Sequence, residues 1–136
     1  MKASDQYLET SVTTQQRGKL IVMLYDGAVK FLRVAKEKLR EGDCALKGVY
    51  IGKAQDIISE LNGCLNVEAA PQIAQDLRAL YAFLYRHLNE ANIERSEQKI
   101  DECIRILEEL RETWREVADR TEPAAVQPNS AGGFEA

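Results

Sequence analysis

The sequence has no run of eighteen apolar residues, and its first fourteen, MKASDQYLETSVTT, are mostly polar. It therefore reads as a chain that neither spans a membrane nor carries a cleaved secretion signal, and its three dispersed cysteines place it in the cytoplasm. Cys44, Cys64 and Cys103 are odd in number and far apart, so neither a zinc site nor a disulfide framework is indicated. They read instead as reduced thiols packed at small core positions. The single histidine, His87, has Leu84 three residues before it. A carboxylate-bridged metal bundle needs Glu-x-x-His twice, and that motif is missing. A basic surplus is also missing: 18 Lys and Arg stand against 22 Asp and Glu, for a net charge of −4, which argues against nucleic acid as a partner. With no strand pattern there is no phosphate loop of the strand–turn–helix kind. No constellation for catalysis, and no cofactor site, emerges. The chain reads as a binding protein rather than an enzyme.

What the sequence does contain is helical periodicity. From Tyr50 to Val67, Tyr50, Ala54, Ile57, Leu61 and Cys64 form one apolar row, and Ile51, Ala54, Ile58, Leu61 and Leu65 form a second. Together they are wider than a two-stranded coiled-coil seam, so this helix needs apolar partners on more than one side. Lys53, Gln55, Asp56, Ser59, Glu60 and Asn62 fill the remaining arc. A first helix is predicted over about residues 20–40, with Ile21, Leu24, Ala28, Phe31, Leu32, Ala35 and Leu39 inward. Gly27 in its middle costs about 1 kcal/mol relative to alanine, and a glycine tolerated there lets another chain segment come close. Gly42 is the stop, and Asp43 the N-cap of the second helix, over about 44–65. Pro71 suits the first turn of a third helix, about 71–92, whose seam is Ile73, Leu77, Leu80, Leu84, Leu88 and Ala91. Ser96 caps a fourth, about 97–119, carrying Ile100, Cys103, Ile104, Leu107, Leu110, Trp114 and Val117. Asp101 with Arg105, Glu108 with Arg111 and Glu116 with Arg120 have the spacing of ion pairs along its outer face.

Short connections make sequential helices antiparallel neighbours. The expected fold is therefore all-α, an up-down four-helix bundle over 17–120, preceded by an N-terminal arm (1–16). Residues 121–136 hold two prolines and two glycines without periodicity and read as a disordered tail. In the arm, Tyr7 and Leu8 are an isolated apolar patch, either on a frayed terminus or on an arm that docks in a groove. Tyr25, Tyr50, Tyr81, Phe83 and Tyr85 are likewise either core and core edge or the lining of a groove for an amphipathic helix. Periodicity does not separate these readings.

Several blocks taken together carry a resemblance to a known family. Tyr7-Leu8-Glu9-Thr10-Ser11-Val12 and the run from Lys19 to Ala28, KLIVMLYDGA, are followed in order by KAQDIISELN from Lys53, LYAFLY from Leu80 and LEELRETW from Leu107. These blocks, spread over about residues 7 to 118, resemble the flagellar secretion chaperones of the FliS family. One departure is Gln16-Arg17-Gly18, where the family commonly opens its first long helix with Ser-Pro-Glu. The tail after Arg120 lies outside the resemblance.

The resemblance implies a small helical bundle that binds the disordered C-terminal segment of new flagellin. That segment turns helical around the bundle, is kept from premature polymerisation and is delivered to the flagellar type III export apparatus. It also implies that the arm docks in the same groove when flagellin is absent. The receiving surface expected on this basis is Tyr7, Leu8, Tyr25, Ile57, Leu61, Leu65, Leu77, Tyr81 and Leu84. Export-gate components and other flagellar assembly factors are further expected partners. An adaptor for another assembly factor, or a structural homodimer using the same stripe, are the competing readings.

Overall fold

The computed structural model describes residues 3–126, with side chains for 17–117. Four α-helices account for almost all of it: α1 (Ala3–Glu41), α2 (Cys44–Gly63), α3 (Pro71–Glu94) and α4 (Glu97–Val126). No strand occurs among the described residues. The termini of these helices follow local chemistry. Gly42 closes α1 at φ +81°, a conformation that favours glycine. The side chain of Asp43 then accepts the backbone N–H of Leu46 at 3.0 Å. Pro71 opens α3 at its first turn. Arg95, left-handed at φ 56°, ends it, and the Ser96 hydroxyl accepts from the N–H of Lys99 to start α4.

Two boundaries differ from those read in the sequence. α1 begins at Ala3 rather than near residue 20, so the expected arm is continuous with the first helix, and the side chains of Tyr7 and Leu8 lie outside the described residues. Residues 3–16 have no apolar row to announce a helix, and none of their residues is a glycine or proline that would break one. α4 runs on to Val126, through the start of the expected tail, and residues 127–136 lie outside the described residues.

The described residues form two compact units, one of Leu24–Glu109 and one of the flanking stretches up to Met23 and from Leu110. In the larger unit every neighbouring pair of helices runs antiparallel. Arg33, Lys36 and Arg40 on α1 meet Glu108, Asp101 and Glu97 on α4 in reversed order. Phe31 and Gly27 on α1 meet Tyr50 and Ile57 on α2. Lys47 and Gln55 on α2 meet Asn92 and Asn89 on α3, while His87 and Glu90 on α3 meet Glu102 and Lys99 on α4. This is the up-down four-helix bundle that the short connections predict. Its interior is built from Tyr25, Leu32, Ile51, Ile58, Leu61, Leu84, Leu88, Ile100 and Leu107, all essentially without exposure. In the smaller unit, Arg111 and Arg115 pair with Glu112, and Leu20 and Met23 stand exposed on α1.

The expected third-helix seam is rotated slightly. Ile73 is 61% exposed and Leu80 is half-buried, whereas Ala74 and Tyr81 are buried. Successive residues stand about 100° apart on a helix, so a small rotation of α3 brings Ala74 inward and turns Ile73 out. The pairs expected along α4 also resolve differently. Asp101 and Glu108 reach across to Lys36 and Arg33 rather than along their own helix. Arg120 lies outside the described side chains. Of the cysteines, Cys103 is buried and Cys64 intermediate, but Cys44 is exposed in the first turn of α2 and packs in no core. Burial, then the charge of Glu102, pushes the Cys103 thiol up to about 12.

Candidate functional site

The seams between helices are of two kinds. Both seams of α4 are closed by ions. Against α1, Lys36 meets Asp101 at 2.7 Å, Arg33 pairs with Glu108, and Arg40 grips Glu97 through both Nε and Nη2. Against α3, Lys99 bridges Glu90 at 2.9 Å and Glu94 at 3.0 Å, and the His87 ring, stacked on Phe83, meets Glu102 at 2.7 Å. These contacts hold the carboxyls of Glu97, Glu90 and Glu102 below their usual range, through Arg40, Lys99 and His87 respectively.

The seams of α2 are different. Among the described residues no ion pair joins α2 to either neighbour. Toward α3 the links are neutral or to backbone. Gln55 Nε2 donates to the Tyr85 carbonyl at 3.0 Å and to Asn89 Oδ1 at 2.8 Å, and the buried Lys47 ammonium donates to the Asn92 carbonyl at 2.9 Å. Gln55, read from the sequence as part of the polar arc, is thus buried, because α3 supplies both acceptors its amide needs.

Toward α1 the seam is apolar and partly open. Leu46, Tyr50, Lys53 and Ile57 follow one another at four, three and four residues, so they stand in one row on α2. Tyr50 packs on Phe31 with ring centroids 6.0 Å apart, and the Lys53 ammonium lies over the same ring at 5.6 Å. Beside them Leu46 and Val49 are 40% and 49% exposed. Ile57 comes close to α1 because position 27 is glycine, where a Cβ would stand 3.2 Å from the Ile57 Cδ1. Further apolar exposure gathers at the α2–α3 connection, in Val67 and Ile73, with Leu65 and Leu77 half-buried there.

The residues expected to form a receiving surface therefore divide. Ile57, Leu65 and Leu77 are partly accessible, whereas Tyr25, Leu61, Tyr81 and Leu84 are buried in the bundle interior. Sequence reasoning did not single out Leu46 and Val49. Their signal was available, since Leu46 stands four residues before Tyr50 and extends its row, but nothing in a single sequence tells an inward row from an outward one.

Comparison with known proteins fits this architecture. The family described as Flagellar protein FliS matches residues 1–121. The chain belongs to the FliS family. Among relatives in that family, the flagellar secretion chaperone FliS of Vibrio cholerae is 33% identical over 115 residues, covering 82% of this chain and 85% of the relative. That of Bacillus subtilis is 34% identical over 110 residues, covering 81% of each. That of Campylobacter jejuni is 32% identical over 115 residues, covering 85% of this chain and 90% of the relative. The FliS match takes in all of α2 and α3 and so both flanks of α2. Among the described residues no helix is long and apolar enough to cross a membrane, and no cluster of His, Cys, Asp or Glu is arranged to hold a metal ion.

Proposed function

We propose that this chain is a cytoplasmic flagellar secretion chaperone that receives the C-terminal segment of flagellin on the α1 side of α2. By covering that segment it prevents premature polymerisation, and it carries the subunit to the flagellar export apparatus. Membership of the FliS family and the names of the relatives support the chaperone role. The observation that carries the location is the contrast between seams: α4 is sealed by ion pairs, whereas Leu46, Val49 and Tyr50 stand along α2 with apolar surface to give. A helix-forming client presents apolar side chains every three or four residues, and a row with the same spacing is its natural complement. Affinity comes from burying that surface at about 25 cal/mol per Å², reduced by the cost of ordering the segment.

In this reading Ile57 touches the client along that flank, and Leu65 and Leu77 extend the contact past the end of α2. Tyr25, Leu61, Tyr81 and Leu84 are interior side chains that support this surface without touching the client, and the arm bearing Tyr7 and Leu8 competes for the same place. Calorimetric titration with the C-terminal segment of the cognate flagellin tests it. One-to-one binding with a gain in helical circular dichroism is expected, and Val49→Asp or Tyr50→Asp should weaken it at least tenfold while the bundle stays folded. Undiminished binding by the folded variants would place the client elsewhere. An absence of heat with the native chain would favour an adaptor for another assembly factor.

A further inference from the structure

On its α3 side, α2 borders an open groove of about 390 Å³. Ile58, Tyr81 and Ala82 give it an apolar floor, and the small Ala82 leaves room for another helix to approach closely. Arg78 and Arg86 stand along one wall, eight residues and therefore ~12 Å apart on α3. No carboxylate lines the groove, although acidic residues outnumber basic ones by 22 to 18 in the chain. Neither arginine forms an ion pair among the described residues, in contrast to Arg33 and Arg40 on α1, although the charge of Arg86 helps lower the Glu90 carboxyl one turn on.

A second observation comes from the opposite wall. Asn62 lines the groove, and its Oδ1 is buried with no hydrogen-bond partner among the described residues. A buried acceptor without a donor costs free energy. The Asn62 side chain lines the groove and its terminal torsion is soft, so rotation about it lets this acceptor pair with a donor on an occupant.

We infer that the α2–α3 groove is a docking site for an acidic helical segment of a partner protein. Its carboxylates meet Arg78 and Arg86, and a side-chain amide or hydroxyl between them donates to Asn62. Guanidinium–carboxylate pairing fixes position and direction along the groove, while the central donor fixes register. This site is on the flank of α2 away from Phe31 and Tyr50, and it does not depend on flagellin being the client of the other flank.

The test uses the isotope-labelled full chain and two alanine-based helical peptides. One carries glutamates eight residues apart with a glutamine midway, and the other has lysines in place of the glutamates. The glutamate peptide is expected to shift the NMR signals of the Asn62 side-chain amide and of Ala82, with binding weakened several-fold between about 50 and 500 mM salt. The lysine peptide should leave them unmoved. Charge reversal with Arg78→Glu and Arg86→Glu, both at exposed positions, should exchange the two peptides' behaviour. A third peptide, with glutamates and a central alanine, should bind more weakly than the glutamine one, and Asn62→Leu should abolish that preference. The proposal is overturned if both peptides shift the same signals equally or neither shifts any, if the shifts fall on the Phe31–Tyr50 flank, or if charge reversal leaves the preference unchanged. A glutamine preference that survives Asn62→Leu removes the role given to Asn62.

Discussion

Tyr25 on α1 and Tyr81 on α3 meet hydroxyl to hydroxyl at 2.5 Å inside the bundle, between helices that are diagonal neighbours. Burial first, then the bond to Tyr25, holds the Tyr81 hydroxyl protonated well above its ordinary range. Tyr25 is its only hydrogen-bond partner among the described residues. Tyr25→Phe therefore leaves a buried hydroxyl unpaired and should destabilise the bundle by about 1–3 kcal/mol. Adding Tyr81→Phe removes the orphaned group, so the double variant should recover part of that loss. Urea unfolding of the two single variants and the double variant measures this coupling. A double variant no more stable than Tyr25→Phe would show that the pair contributes by packing alone.

The carboxyls of Glu90, Glu97 and Glu102 all have folded pKa values below the ordinary 4.5. Stability from such groups is fully present above the unfolded value and is lost as pH falls through the folded ones. The melting temperature should therefore drop progressively as pH is lowered from about 5 to about 3. Replacing all three by glutamine should lower the melting temperature at neutral pH and flatten that slope. Because the pairs are at the surface, added salt should mimic part of the acid effect.

Gly52 lies within α2, and a Cβ built there meets nothing within 4 Å. Gly52→Ala should stabilise the bundle by about 0.5–1 kcal/mol through helix propensity and a less flexible unfolded chain. Gly27 differs, since its added Cβ would stand 3.2 Å from Ile57 Cδ1. Gly27→Leu should destabilise and push Ile57 outward, readable as a lower urea midpoint.

Leu84→Asp and Val49→Asp separate interior from surface. Leu84 has no exposure and Val49 is 49% exposed. The first substitution buries an unpaired carboxylate and should unfold the bundle. The second should leave its circular dichroism and melting temperature nearly unchanged while affecting client binding.

Much of this architecture was legible in the residues. Pro71, Asp43, Gly42 and Ser96 are local signals whose chemistry acts within a turn, so each marks its boundary in sequence and structure alike. The antiparallel order follows from short connections. The start of α1 was not legible, because residues 3–16 have no apolar row and periodicity is the only signal that would have extended the helix. The accessibility of the candidate surface was half legible for a related reason. Ile57 and Leu61 are four residues apart on the same helix, yet Ile57 is partly open and Leu61 buried. Helical spacing says that two residues share a side of a helix, but only the neighbouring helix decides which of them it covers. Gln55 shows the converse, a polar residue drawn inside by acceptors on α3 that lie thirty or more positions away.

The joints of the bundle also bear on how fast the chain is ready for use. Only Gly42 and Asp43 separate α1 from α2, and only Arg95 and Ser96 separate α3 from α4, whereas residues 64–70 join the two hairpins. Closing such short loops costs little entropy and takes far less than a millisecond. Each hairpin should thus form early, with docking across the longer connection as the slower event. The Arg33–Glu108 and Lys36–Asp101 contacts, separated by 75 and 65 positions, then belong to the last stage. Removing those late contacts, as in Arg33→Ala or Lys36→Ala, should consequently change the rate at which the protein comes apart more than the rate at which it assembles.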